Sequence, residues 1–123
     1  VLALISSEPE DGNYEVLKDN IARFKHAMDA RGQSLEIVTI EQPEATWKDE
    51  ERLAQSYINY YLPNGGIVPP SFDDPVIDEA ALRTLEIVFP ERRNVQLDVQ
   101  DIVNGGGGIH CITQQQPEPL ESG

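Results

Sequence analysis

The apolar positions of the first forty residues follow two different periods. Residues 2–5 form a continuous apolar run of the length of a buried strand. The next apolar positions recur at steps of three and four, the spacing of one helix face: Tyr14, Leu17, Ile21, Phe24 and Met28. Gly32 is expected to end this helix, and the β-branched stretch 35–40 predicts another strand. The pattern predicts a strand, a helix and a strand joined by a right-handed crossover.

A hairpin is predicted after the charged stretch 44–55, which we interpret as an exposed loop or a single helical turn. Residues 56–62 and 67–70 flank the segment Pro63-Asn64-Gly65-Gly66. Its Asn-Gly pair accepts the positive φ angles that a tight hairpin turn requires. The sequence therefore predicts two antiparallel strands here.

A second helix and a closing strand follow the hairpin. Asp74 and Pro75 are typical of the first positions of a helix. Apolar residues then recur at helical spacing up to Phe89: Ile77, Ala81, Leu85 and Val88. Alternation over 95–99 predicts the strand. The chain is therefore predicted to be an α/β protein made of about two strand-strand-helix-strand units. The first unit contains only its last three elements.

Incomplete units leave the edges of their sheets unpaired, so we interpret the chain as a fragment whose amino terminus is cut. Exposed edges also make a homo-oligomer possible.

The charge balance restricts the classes of partner. The 123 residues include 22 acidic and 9 basic side chains, for a net charge of −13. This charge repels nucleic acids and anionic membrane surfaces, and it attracts cationic ligands weakly. No apolar run is long enough to span a bilayer, and a lone cysteine excludes an internal disulfide and a Cys-rich zinc site. We expect a soluble cytoplasmic protein with no metal.

The candidate chemistry lies in the segment Gly105-Gly-Gly-Gly-Ile-His-Cys111. Consecutive glycines are tolerated where a chain bends tightly or approaches another group closely, so Gly107 and Gly108 are candidates for backbone contact with a substrate. Taken alone, the residues favour a surface loop followed by a buried, inert Cys111 and do not establish catalysis. A phosphate-binding loop is disfavoured because no Lys-Ser or Lys-Thr follows. Residues 109–113 are predicted to form a short strand.

The segment 105–117, which continues from Cys111 as Ile-Thr-Gln-Gln-Gln-Pro, resembles the closing motif of the agmatine deiminases, including the bacterial proteins labelled peptidylarginine deiminase-like. Further stretches share the resemblance: Ala54-Gln-Ser-Tyr-Ile-Asn-Tyr-Tyr61, Asn64-Gly-Gly-Ile-Val-Pro-Pro70, Asp74-Pro75 and Asp78-Glu-Ala-Ala-Leu82. It covers nearly the whole chain.

The resemblance implies a partial pentein fold, an α/β propeller of five such units around a polar centre. Residues 1–117 would be the carboxy-terminal part of that domain and residues 118–123 a flexible tail. It also implies that Cys111 attacks the guanidinium carbon of agmatine, a small cationic substrate, and that an amidino-cysteine intermediate is hydrolysed to N-carbamoylputrescine without a cofactor. Free or peptide-terminal arginine is the alternative substrate. A non-catalytic fragment that only self-associates is the alternative from another class.

Partners for Cys111 are hard to find in the sequence. In an extended strand His110 points away from Cys111, which suggests a structural or supporting role. His26 lies off the apolar face of its helix and is expected at the surface. We assign no catalytic role to Asn59, Asn64 or Asp98. The family resemblance places the catalytic His in an upstream His-x-Asp segment, which these 123 residues do not contain.

Overall fold

The structure is a computed structural model that describes residues 1–119. Its elements, in chain order, are β1 (Leu2–Ile5), α1 (Tyr14–His26), β2 (Val38–Glu41), β3 (Trp47–Lys48), β4 (Glu51–Arg52), β5 (Gly66–Ile67), β6 (Pro70–Ser71), α2 (Pro75–Val88), β7 (Arg93–Asn94), β8 (Leu97–Asp98), α3 (Gln100–Val103) and a 3-10 turn (His110–Ile112). Residues 118 and 119 have no regular structure, and the rest of the predicted tail lies outside the described residues.

The first unit has the predicted order of strand, helix and strand. β1 and β2 pair in parallel, in a register that runs from Leu2 opposite Val38 to Ile5 opposite Glu41. Parallel pairing of consecutive strands needs a crossover connection, and α1 provides it.

The predicted end of α1 at Gly32 is wrong, since the helix ends at His26. The carboxylate of Asp29 accepts the backbone N–H groups of Arg31 and Gln33 at 2.8 and 2.9 Å. These bonds fold residues 29–33 into a turn, and Gly32 serves that turn with a φ of +74°. A short polar side chain thus offers the backbone an alternative to continuing the helix.

The second unit contains one longer parallel strand pair that is broken at its centre. β5 pairs with β7 and β6 with β8, and both pairs keep the same register, from Gly66 opposite Arg93 to Ser71 opposite Asp98. Pro69 lies at the break and Pro70 is the first residue of β6, and neither has an N–H to donate. Here the donors come from the segment that includes β7 and β8. The N–H of Leu97, for example, donates to the Pro69 carbonyl at 3.0 Å.

The predicted hairpin is present but short. Tyr61 and Val68 exchange both backbone hydrogen bonds, at 3.1 and 2.9 Å, in a single antiparallel bridge. Gly65 in the connecting turn has a φ of +73°. The charged stretch before it forms a second, smaller hairpin of β3 and β4 rather than a loop or helical turn. Positive φ angles at Asp49 and Glu50 make that turn, and the sequence carries no Asn-Gly signal there.

The core lies under α2, which spans the predicted residues. The Asp74 side chain caps it by accepting the Ile77 N–H at 3.1 Å. Buried apolar side chains from α2, β5 and the end of β8 and α3 pack together: Ile67, Leu85, Val99 and Val103. Tyr57 joins them with no exposed surface, and its hydroxyl donates to the buried carboxylate of Asp78 at 2.8 Å.

An ion pair joins the loop before α1 to the small hairpin. The Arg52 guanidinium donates to both carboxylate oxygens of Asp11 at 2.9 Å. The two side chains are only 20% and 15% exposed. The bond from Arg52, aided by the backbone of Asn13, holds the pKa of Asp11 well below its usual range.

This pair gives an expected dependence of stability on pH. Arg52→Met in the complete polypeptide encoded by the gene is expected to lower the free energy of unfolding by about 2 kcal/mol at pH 7. Because the folded-state pKa of Asp11 is depressed, this stabilisation is present above about pH 4 and is lost as the pH falls further. Denaturant unfolding of wild type and variant between pH 7 and 2.5 measures the difference, which should shrink towards acid.

Arg23→Met is the matched control, because Arg23 pairs with Asp19 on the surface of α1, where the side chains are 77% and 58% exposed. Its effect should be smaller than that of Arg52→Met at pH 7 and should show no comparable loss towards acid. A difference between wild type and Arg52→Met that stays constant down to pH 2.5 would contradict the role of this pair.

Within residues 1–119, the helices are too short or too polar to cross a membrane.

Candidate active site

Cys111 sits in a tight turn that follows the glycine loop. The chain leaves α3, passes Gly106 with a φ of +96°, and returns to the core at Ile109, whose side chain is buried. His110–Ile112 then forms one turn of 3-10 helix. The predicted strand over 109–113 is therefore wrong. Residues 110–112 pair with none of the strands within residues 1–119, and the Thr113 N–H donates to the His110 carbonyl at 3.1 Å.

His110 lies in a 3-10 turn and not in an extended strand. Its side chain was expected to face away from Cys111 because successive residues of an extended strand face opposite ways. Its exposed imidazole lies 3.3 Å from the side-chain nitrogen of Gln115, Nε2 to Nε2. A structural or supporting role for His110 stays a prediction on this contact alone.

Asn59 is the side chain that meets Cys111, and sequence reasoning assigned it no role. Its Nδ2 donates to Cys111 Sγ at 3.4 Å, across 52 residues of chain. Its Oδ1 accepts the backbone N–H of His110 at 2.8 Å. Asn59 closes a turn in which its own N–H bonds the Ser56 carbonyl, and the buried Tyr57 anchors that turn in the core. An isolated Asn in a stretch without a clear period carries no signal of this contact.

Gly107 and Gly108 lie close to the side chains of Cys111 and Asn59. A Cβ atom at Gly107 would lie 3.0 Å from Cys111 Cβ and 3.2 Å from its sulfur. One at Gly108 would lie 2.6 Å from Cγ and Nδ2 of Asn59. The close approach thus involves side chains of the protein itself. Backbone contact with a substrate stays a prediction.

The surroundings of Cys111 favour its thiolate. The side-chain hydrogen bond from Asn59 lowers the pKa of the Cys111 thiol, and the backbone of Gly108 acts in the same direction. A donated hydrogen bond has this effect because the charged sulfur accepts it more strongly than the neutral one. The thiol is exposed in this part of the protein, and a thiolate is the form of cysteine that reacts with electrophiles.

An open cavity of about 280 Å³ gives access to the sulfur. Its lining consists of Ser56, Ile58, Asn59, His110 and Cys111. In the described part of the chain, this lining holds a nucleophile and hydrogen-bond donors but no carboxylate. The site can therefore supply a nucleophilic sulfur, whereas binding of a guanidinium would require acidic groups from elsewhere.

The other polar candidates, His26, Asn64 and Asp98, are not among the residues that line this cavity. His26 is exposed at the end of α1, as predicted, with Nδ1 3.2 Å from the Ala22 carbonyl. Asn64 lies in the hairpin turn. Asp98 accepts the Gln100 N–H at 3.0 Å at the start of α3.

The strand-strand-helix-strand arrangement is part of a pentein fold, which the chain shares with solved structures of arginine and agmatine deiminases. A family model described as Porphyromonas-type peptidyl-arginine deiminase matches residues 1–117. The chain belongs to this family, as its closing motif predicted.

Relatives with agmatine deiminase names cover the whole chain. A protein of Legionella pneumophila (strain Paris) named "Putative agmatine deiminase" is 46% identical over 123 residues, which are 100% of this chain and 36% of that protein. The agmatine deiminase of Pseudomonas savastanoi pv. phaseolicola is 36% identical over 137 residues, 97% of this chain and 37% of that protein. The chain thus spans about a third of the length of the curated relatives it matches.

A solved structure shares the fold. The agmatine deiminase of Enterococcus faecalis superimposes with a TM-score of 0.88 and 25% identity, over 95% of this chain and 36% of that one.

Proposed function

We propose that this chain is the nucleophile-bearing part of a longer enzyme that hydrolyses the guanidinium group of agmatine to N-carbamoylputrescine and ammonia. The observation that carries the proposal is Cys111 Sγ, exposed at a cavity and held at 3.4 Å by an amide donor. The names of the relatives support agmatine as the substrate. The net charge of −13 is compatible with a cationic substrate.

In the proposed reaction, the Cys111 thiolate attacks the guanidinium carbon, and a C–S bond forms. The C–N bond to a terminal amino group then breaks, and that nitrogen takes a proton and leaves as ammonia. Water attacks the amidino-thioether, loses a proton to a base, and the C–S bond breaks to return the thiolate and release the carbamoyl product. Both steps need a general acid or base, and the guanidinium needs carboxylates.

The described residues supply the sulfur, its amide donor and the tightly packed glycines. The base and the carboxylates are proposed to come from sequence outside Val1–Gly123, so this chain alone is expected to be inactive. The family description mentions peptidyl-arginine, which keeps free or peptide-terminal arginine as the second candidate substrate. The residues that would recognise the far end of the substrate decide between them. Catalysis is proposed to take place in the cytoplasm.

The substrate is tested with a panel of guanidinium compounds. We expect the complete polypeptide to release ammonia from agmatine with a kcat/KM at least about a hundredfold above that for L-arginine or a peptide with a terminal arginine. Chromatography of the carbamoyl product checks that the ammonia comes from the guanidinium group.

The isolated chain 1–123 is assayed in parallel. Turnover by this chain alone would contradict the proposal that the base and carboxylates lie outside it. A higher kcat/KM for an arginine substrate would transfer the assignment to the arginine-directed alternative.

A further inference from the structure

Asn59 lies beside the nucleophile, and its role rests on the proposed function of Cys111. Its side-chain amide makes two contacts with one short segment of chain: Oδ1 with the His110 N–H and Nδ2 with Cys111 Sγ. A residue that bridges a nucleophile to the backbone beside it can fix both the position of the nucleophile and the donor that faces it.

The orientation of the amide follows from its neighbours. The His110 N–H is a donor, so the atom 2.8 Å from it must be the amide oxygen. The NH₂ group therefore faces the sulfur, and the opposite orientation would place two donors together at His110. The His110 N–H occupies the Asn59 oxygen, and this leaves the Asn59 NH₂ group to donate to the Cys111 sulfur.

The position of Asn59 is fixed from both sides. Gly108 packs against its amide so closely that a Cβ there would lie 2.6 Å from Asn59 Cγ. On the other side, Tyr57 holds the turn 56–59 in the core through its bond to Asp78. The amide therefore has little freedom to turn away from the sulfur.

We propose that Asn59 is the positioning residue of the nucleophile. Its Nδ2–H group donates to the Cys111 sulfur and stabilises the thiolate, which is the form that attacks the substrate. The lowered pKa of Cys111 agrees with this role, since the bond from Asn59 is its main cause. The same donor stabilises the departing thiolate when the C–S bond of the intermediate breaks.

The test uses a substitution that separates the two contacts. Asn59→Asp keeps the shape of the side chain and an oxygen that accepts the His110 N–H, but it replaces the donor at the sulfur with an anionic oxygen. The variant is made in the complete polypeptide, and the rate of Cys111 alkylation by iodoacetamide is followed against pH by peptide mass spectrometry. Because only the thiolate reacts, the midpoint of this profile reports its pKa.

We expect the midpoint for Asn59→Asp to rise by at least about one pH unit, so that alkylation well below the midpoint slows about tenfold. Asn59→Ala, which removes both contacts without adding charge, should raise the midpoint by less. Asn20→Asp is the matched control, since it adds the same charge on the exposed face of α1 and should leave the midpoint unchanged.

A wild-type midpoint in Asn59→Asp or in Asn59→Ala would overturn the proposal and leave Asn59 with a purely structural role. Thermal unfolding shows whether each variant is folded. If one of the two does not fold, the alkylation midpoint of the other tests the proposal. This result is independent of the substrate panel: the absence of deiminase activity in the wild type would remove the proposed function but not the shift in midpoint.

Discussion

Replacement of Cys111 with alanine is expected to abolish deiminase activity, with a loss in kcat of at least about 10⁴-fold. The physical reason is that the proposed route passes through a bond to this sulfur, and no other described side chain in the cavity is a comparable nucleophile. The fold should tolerate the change because the side chain is exposed. We expect the free energy of unfolding to stay close to that of the wild type.

Ammonia release from agmatine by the complete polypeptide measures this effect. Acid quenching during turnover should also show Cys111 carrying the mass of agmatine less ammonia, and Cys111→Ala should lack this adduct. Activity of the variant within tenfold of the wild type would show that another group performs the attack.

The second large effect is expected at Gly108, where alanine should lower kcat/KM about 10²-fold, the loss that a displacement of about 1 Å can cause. The added Cβ would lie 2.6 Å from Asn59 Cγ, a separation that real Cβ atoms essentially never show. Asn59 is short, so its amide must leave the sulfur to make room. The alkylation midpoint of Cys111 should rise in the same variant.

Two comparisons identify the cause of this loss. Gly12→Ala is the matched control, because a Cβ there would come no closer than 4.0 Å to the Arg52 side chain. In a variant that already carries Asn59→Ala, Gly108→Ala should lower kcat/KM little further, since the amide that the new Cβ would contact is then absent. Full additivity of the two substitutions would contradict the proposed contact.

The regular part of the fold was predictable because its signals are local. Asp74 and Pro75 define the start of α2, and the apolar positions through Val88 define its length. The end of α1 was not predictable in the same way. There the carboxylate of Asp29 competes for backbone donors, and Gly32 serves the resulting turn. A glycine shortly after a helical pattern is compatible with both outcomes.

At the candidate site, the closing motif predicts Cys111 as the nucleophile, and that role stays a prediction. The family that the motif indicated is confirmed by the match over residues 1–117. Asn59 was missed because it lies 52 residues from Cys111 and the two meet only through the packing of the second unit. The strand predicted over 109–113 failed because a short apolar stretch does not distinguish an extended segment from a tight turn.

The contact between Asn59 and His110 also has a consequence for the order of folding. It joins positions 51 residues apart, and the parallel strand pair and α2 lie between them. Closing so long a loop is entropically unfavourable until that intervening structure is in place. The activated state of the cysteine should therefore appear late in folding. The rate at which a thiol reagent modifies Cys111 during refolding would then report when Asn59 makes its contacts with His110 and Cys111.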